Sequence, residues 1–275
     1  MKAFVKTNNG TFPNLNFYLA WEAFNTMGYS VSCFEEQDID KLDITPLTPV
    51  FAGVTVFRKI IDKLGVKYAP FDCYPQVLNP YYGRNLIRST LGEAKANFEN
   101  NKTPVFVKPV LPKQFTGGVW NSFMDLIPLA RLPNDTQVWV CEPIDILSEF
   151  RVYVLDGEIL GVKHYYGKWQ YTPDEYYINK FIKEYKGAPV AYGIDIAVLD
   201  KTQQELETTN RSGLIKDIVL EVNDGCNLGN YGLDSIHYGE MIVSRWYEIM
   251  EQGGKGADLR TQAIKSEYKP FPTQQ

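Results

Sequence analysis

Asp156-Gly157 stands between two apolar-rich runs, Phe150 to Leu155 and Glu158 to Lys163. Asp-Gly tolerates positive φ at both central turn positions, as a two-residue hairpin matching the twist of its strands requires. This part of the chain is therefore bound to an antiparallel sheet. Further strand signals cluster around it: Val138-Trp139-Val140-Cys141 lies before the hairpin, and Ala191 to Leu199 and Ile218 to Val222 follow. The last two read as a second hairpin whose loop is the polar stretch Asp200 to Lys216.

The first hundred residues have a different rhythm, in which short apolar runs alternate with helical spacing, as in an open α/β layer. Ala3 to Val5 reads as a strand. Leu15 to Met27 reads as a helix closed by Gly28, and Tyr29 to Phe34 as a second strand. Pro49 to Gly53 forms a third short strand leading into a helix from Val54 to Leu64, which Gly65 ends. Prolines between Pro70 and Pro80 indicate a connection. Helix is expected again from Tyr82 to Phe98, then a turn at residues 100–104 and a strand from Val105 to Pro109. A polar loop with paired glycines, Pro112 to Gly118, reads as mobile. A last helix, Ser235 to Met250, precedes a polar tail. The expectation is an α/β (α+β) protein with an N-terminal layer at 1–103, a second region at 104–250 and a tail at 251–275.

Composition narrows the function classes. With 28 basic and 33 acidic residues the formal charge is −5, which offers no footprint for a nucleic-acid backbone or an anionic membrane. No run approaches membrane-spanning length, and the N-terminus turns polar too soon for a secretory signal. Cys33, Cys73, Cys141 and Cys226 show no C-x-x-C spacing, so neither a zinc site nor a disulfide framework is indicated and a reducing cytoplasm is expected. His164 and His237 are the only histidines, and no serine sits in a G-x-S-x-G elbow. The 18 tyrosines are read as packing residues.

The residues with chemical potential sit on strands. Glu221 and Asn223 are two apart and project from one strand face. Asp195 alternates with apolar neighbours and places its carboxylate opposite them. Two carboxylates and a carboxamide suit a hard cation such as magnesium, whereas Lys108, at a strand end, suits phosphate. The plain alternatives are a half-exposed sheet face carrying ordinary acids and a solvated strand-end lysine. Glu142 and Glu149 lie seven residues apart around Pro143-Ile144-Asp145, ahead of the hairpin.

In this order, Lys108-Pro109, Glu142, Glu149, Asp195, Glu221 and Asn223, spread over Val105 to Leu233, resemble the ATP-grasp superfamily of carboxylate-amine ligases. The residues ahead of Lys108 are similar to its R2K clade. The resemblance implies two lobes clasping a nucleotide behind the N-terminal layer, with ATP and Mg2+ bound. It implies an ATP-dependent ligase that joins a small-molecule or peptide carboxylate to an amine through an acyl phosphate. A phosphotransferase on the same fold and a non-catalytic nucleotide-binding module are the alternatives.

Residue by residue, the resemblance gives Lys108 to the nucleotide phosphates and Gly117 and Gly118 to a lid over them. It gives residues 142–144, among them Glu142 and Ile144, to the adenine, Glu149 to the ribose, and Asp195, Glu221 and Asn223 to the metal. Members often place an arginine just before that aspartate; Tyr192-Gly193 stands here instead, so Arg151, with Lys163 facing it across the hairpin, is expected to supply the positive charge. Arg84, paired with Arg88 on one helical face, and Asn227, in the glycine-rich loop from Asp224 to Gly232, are candidate substrate contacts. Cys226 is read as packing. Whether Lys113 or Lys163 reaches the phosphates, and the oligomeric state, are not readable from the residues.

Overall fold

The computed structural model describes residues 1–200 and 215–261. Its N-terminal layer is a parallel sheet of β1 (Lys2–Lys6), β2 (Ser30–Phe34) and β3 (Val50–Phe51), in the order β2-β1-β3. Helix α1 (Leu15–Thr26) starts at Asn14, whose side chain accepts from the Asn16 N–H, and its chain turns at Gly28 with φ +82°. Helix α2 (Val54–Lys63) follows β3 directly. Phe24, Phe51, Phe57, Ile60 and Ile61 form the core of this layer, with Met241, Ile242, Trp246 and Tyr247 from the far end of the chain. Those four lie on α5 (Ser235–Gln252), which is buried nearly all round because it packs against α1 on one side and against Tyr153, Ala191 and Leu228 on another.

The second sheet consists of β4 (Ile87–Thr90), β5 (Val105–Pro109), β6 (Gly118–Trp120) and β7 (Gln137–Cys141), ordered β4-β7-β5-β6 and wholly antiparallel. Helix α3 (Leu91–Asn101) backs it, packing Leu91, Ala94 and Phe98 against Val107, Trp120 and Val138. The helix expected from Tyr82 to Phe98 is thus a shorter one behind a strand. Pro80 closes a 3-10 turn at Gln76–Tyr81, and Gly83 turns the chain at φ +61°. Thr90 and Glu93 then form a reciprocal capping box, which fixes the helix start at Leu91. The sheet accordingly begins at Ile87, ahead of residue 104, where the sequence places the start of the second region.

The third sheet holds the Asp-Gly hairpin. β8 (Ile146–Leu155), β9 (Glu158–Gly167), β10 (Ala191–Asp200) and β11 (Ile215–Asp224) are antiparallel in the order β11-β10-β8-β9. Asp156 and Gly157 adopt φ of +53° and +84°, as a primed turn demands. Helix α4 (Glu175–Glu184) packs Ile178 and Phe181 into the core of one face, against Val152, Ile194 and Val222. Of the loop expected at Asp200 to Lys216, residues 201–214 lie outside the described residues, as does the tail beyond 261. No described helix is long and apolar enough to cross a membrane.

Candidate active site

Strand register assembles the site. Lys163 lies opposite Arg151, Arg151 opposite Asp195, and Asp195 opposite Glu221, so one row of charged residues crosses all four strands of the third sheet. Asn223, one row along, lies opposite Gly193, which lies opposite Tyr153. A bulge at Leu220 makes this possible. Without it, Val219 and Glu221 would share a face; with it, Val219 enters the core while Glu221 stands beside Asp195. The Leu220 carbonyl, displaced by the bulge, accepts a 2.9 Å hydrogen bond from Arg84 Nη2.

The charges in the row are matched. Arg151 donates from Nε and Nη2 to the two Asp195 oxygens, both at 2.7 Å, a bidentate pair with the residues only 6 % and 2 % exposed. Burial opposes the guanidinium charge, but Asp195 outweighs it and holds the Arg151 pKa above its ordinary value. Tyr165 and Tyr231 stack at 4.7 Å, and the guanidinium carbon lies 4.9 Å from the Tyr231 ring centre. Lys108 reaches across from the second sheet to pair with Glu221, its ammonium 5.2 Å from the centre of the Tyr74 ring. Burial lowers the Lys108 pKa and pushes the Tyr74 hydroxyl up to about 12. Asn223 Nδ2 donates to Asp195 at 3.1 Å and to Glu221 at 3.5 Å.

Among the described residues, no cluster of three His, Cys, Asp or Glu side chains is placed to hold a metal. With the Asn223 carboxamide turned so that Oδ1 replaces Nδ2 toward the two carboxylates, Asn223 would complete an all-oxygen set with Asp195 and Glu221, which suits Mg2+. Arg151 and Lys108 sit where such a cation's charge would be felt, so the site fits the ion provided these two side chains yield part of their pairing.

Between the second and third sheets lies a cleft of about 380 Å3. The connection at residues 142–145 joins β7 to β8 along its edge. Lys108, Gly117, Glu142, Ile144, Glu149, Asp195 and Glu221 line it, together with Phe106, Val119 and Ile146. Of the expected nucleotide contacts only Gly118 is absent from the wall; it opens β6 instead. Gly117 is held close to Lys108, since a Cβ there would stand 3.0 Å from the Lys108 Cβ. Glu149 lies within β8, whose start is earlier than the sequence suggests, and accepts a hydrogen bond from the Tyr165 hydroxyl. Tyr165 can reach it because a bulge separates the pairs Glu149↔Tyr166 and Phe150↔His164. Burial raises the Glu149 pKa despite that bond.

A second chamber of about 240 Å3 lies on the other side of Arg151 and Asn223, and Asn227 and Lys113 are in its wall. Its loop is firmly tied: Tyr153 donates to the Gly229 carbonyl at 2.7 Å, Tyr238 to that of Leu228 at 2.7 Å, and the Asn230 N–H to Asn16 at 3.0 Å. Burial raises the Cys226 thiol well above its usual range, consistent with packing.

Two expectations change. Arg84 and Arg88 share no helix: Arg84 lies in the loop before β4 and lines the cleft between the second and third sheets, whereas Arg88 is on β4, its guanidinium 5.2 Å from the centre of the Trp139 ring. Lys163 is in the row but in neither wall, and among the described residues it makes no ion pair. Arg151, expected to supply positive charge, is paired with Asp195. Sequence reasoning missed Tyr74, Tyr165 and Tyr231. Nothing in a tyrosine-rich sequence marks which rings carry cations, so these became legible only through the fold.

In comparison with known proteins, the family model described as "ATP-grasp domain, R2K clade family 2" matches residues 81–241. Among curated proteins none matches the chain in sequence. Similar solved structures include a RimK domain ATP-grasp protein from Sphaerobacter thermophilus, at 14 % identity and TM-score 0.55, covering 89 % of this chain and 99 % of that one. D-alanine–D-alanine ligase from Bacillus anthracis, complexed with ATP, gives 13 % identity and TM-score 0.53 over 93 % and 98 %. D-cycloserine synthetase gives 11 % and 0.56 over 90 % and 100 %. At these identities the likeness is one of fold.

Proposed function

The chain belongs to family 2 of the R2K clade of ATP-grasp domains, and from that premise we propose that it is an ATP-dependent carboxylate-amine ligase making an amide or peptide-like bond through an acyl phosphate. The observation that carries this reading is the cross-strand row Arg151-Asp195-Glu221, with Asn223 beside it and Lys108 facing it, of which Asp195, Glu221 and Lys108 line the cleft. The apolar walls Phe106, Val119, Ile144 and Ile146 suit a purine, and Glu149 suits the ribose hydroxyls. Lys108 would neutralise phosphate once released from Glu221. Asp195, Glu221 and Asn223 would hold Mg2+, which when bound would neutralise phosphate charge.

A substrate carboxylate then attacks the γ-phosphorus as its bond to the β–γ bridging oxygen breaks and ADP leaves, and an amine displaces phosphate from the carbonyl carbon of the resulting acyl phosphate. The residues align the reactants and place Arg151 beside the developing negative charge; no covalent group is required of the protein. The loop ahead of β6, with Gly117 and Lys113, would close over the phosphates and exclude water.

The test is phosphate release from Mg-ATP in a panel of carboxylic acids with and without amines, with product masses. Amine-dependent product supports ligation. Release that transfers phosphate to a hydroxyl instead would replace ligation with phosphotransfer, and nucleotide binding without turnover under any pairing would leave a binding module. Lys108→Ala is expected to weaken nucleotide binding and Asp195→Asn to stop turnover.

A further inference from the structure

The second chamber holds features that nucleotide chemistry does not use. It shares Arg151 and Asn223 with the reactive row, so whatever fills it abuts the site of bond formation. Its body is apolar, formed by Phe57, Phe71 and Leu228. At about 240 Å3 it is smaller than the roughly 300–1,000 Å3 typical of pockets for drug-sized ligands, which limits its occupant to about one amino acid.

Its polar groups are unevenly satisfied. Asp224 is already neutralised by Arg245, whose Nε donates at 2.8 Å, and also accepts from Tyr68. Arg151 is committed to Asp195. Arg58, half-buried on α2, lines the chamber and makes no hydrogen bond or ion pair among the described residues. Asn227 is unsatisfied in the opposite sense: its Nδ2 donates to Cys226 Sγ at 3.1 Å, while its Oδ1 is buried without a partner. A buried acceptor left unmade costs free energy that a ligand N–H would recover. The chamber therefore lacks a carboxylate for a planar guanidinium, an N–H donor for Asn227 and an apolar body between them.

We infer that the second chamber binds the amine partner of the ligation and that this partner is an α-amino acid with an apolar side chain, its carboxylate held by Arg58 and its amino group by Asn227. This rests on the ligase reading and names the substrate class for it. The neutral amino nitrogen attacks the acyl carbon, the C–N bond forms as the C–O bond to phosphate breaks, phosphate leaves with that electron pair, and the departing phosphate takes up the proton that the nitrogen releases. Arg58 thereby separates the carboxylate that is recognised from the carboxylate that is activated, which belongs to the other substrate.

The experiment is isothermal titration of leucine and phenylalanine, in both enantiomers, and of their carboxamides, into the full chain with Mg2+ and a non-hydrolysable ATP analogue. The expected result is saturable binding of at least one free amino acid, with its carboxamide weaker by about tenfold or more. Arg58→Gln is expected to remove that preference and leave carboxamide affinity unchanged, while Arg58→Lys retains part of it. Because Arg58 has no partner to lose, both variants should fold, checked by unchanged affinity for the analogue. No binding by any of the probes, equal binding of acid and amide, or a preference that survives Arg58→Gln would each overturn the inference. Arg58-dependent binding with no phosphate release under any acid would instead sink the ligase reading alone.

Discussion

Arg151 and Asp195 carry opposite charges where almost no water reaches them, and each is tolerable only because of the other. Removing one partner leaves an uncompensated buried charge, so Arg151→Ala should cost about 3–5 kcal/mol in urea unfolding and abolish turnover. The double variant Arg151→Met, Asp195→Leu should recover most of that stability and none of the activity. A single variant as stable as the parent would show that the pair is not buried in solution. Glu149 makes a quieter prediction. Burial raises its pKa, so the folded chain holds the proton to higher pH than the unfolded chain does, and the glutamate's contribution to stability falls as pH rises from the ordinary 4.5 through the raised folded value. Glu149→Gln should therefore be the more stable protein above that window and equal to the parent below 4.5, while binding ATP about tenfold more weakly. Thermal unfolding across pH checks the first part; a stability gap independent of pH would contradict it.

At the scale of elements, the site is a product of strand register. Glu221 and Val219 are two residues apart and still face opposite ways, because the bulge at Leu220 resets the alternation. Gly193 serves the same row from β10: a Cβ there would lie 3.1 Å from Arg151 Cδ, closer than the packed arginine accommodates without shifting. Gly193→Ala is expected to displace the guanidinium by tenths of an ångström and lower kcat about tenfold or more, leaving ATP affinity nearly unchanged. Steady-state kinetics separate the two, and a loss confined to the KM for ATP would be against this role. The capping box of Thr90 and Glu93 shows a local signal overriding a composition-based one, since the helical composition around Tyr82 to Phe98 conceals a strand that the cap defines.

Across the whole molecule, Lys108 comes from the second sheet and Glu221 from the third, so nucleotide binding should tie the two together. A ligand at a hundredfold its Kd stabilises by about 2.7 kcal/mol, which differential scanning fluorimetry would show as a rise in Tm with Mg-ATP analogue. Lys108→Ala should remove most of that rise; a full shift in the variant would mean that the nucleotide binds elsewhere. The N-terminal layer depends in the same way on α5, whose Trp246 fills its core and donates to the Pro46 carbonyl at 2.9 Å.

That Lys108, Glu142, Glu149, Asp195 and Glu221 share one cleft was implied by the resemblance to the ATP-grasp superfamily, which rests on their order along the chain. The sequence by itself determined the strands that bear the charged residues and the Asp-Gly hairpin. Those features are local: they follow from alternation, turn chemistry and spacing within a few residues. Only the tertiary structure decided that Arg151 is locked to Asp195, that tyrosine rings flank the cations, that Arg84 braces a bulge, and that Arg58 faces a second chamber. Each of these depends on a contact between segments distant in the chain, and side-chain pairing across such distances is set by how the sheets pack, which no local pattern encodes.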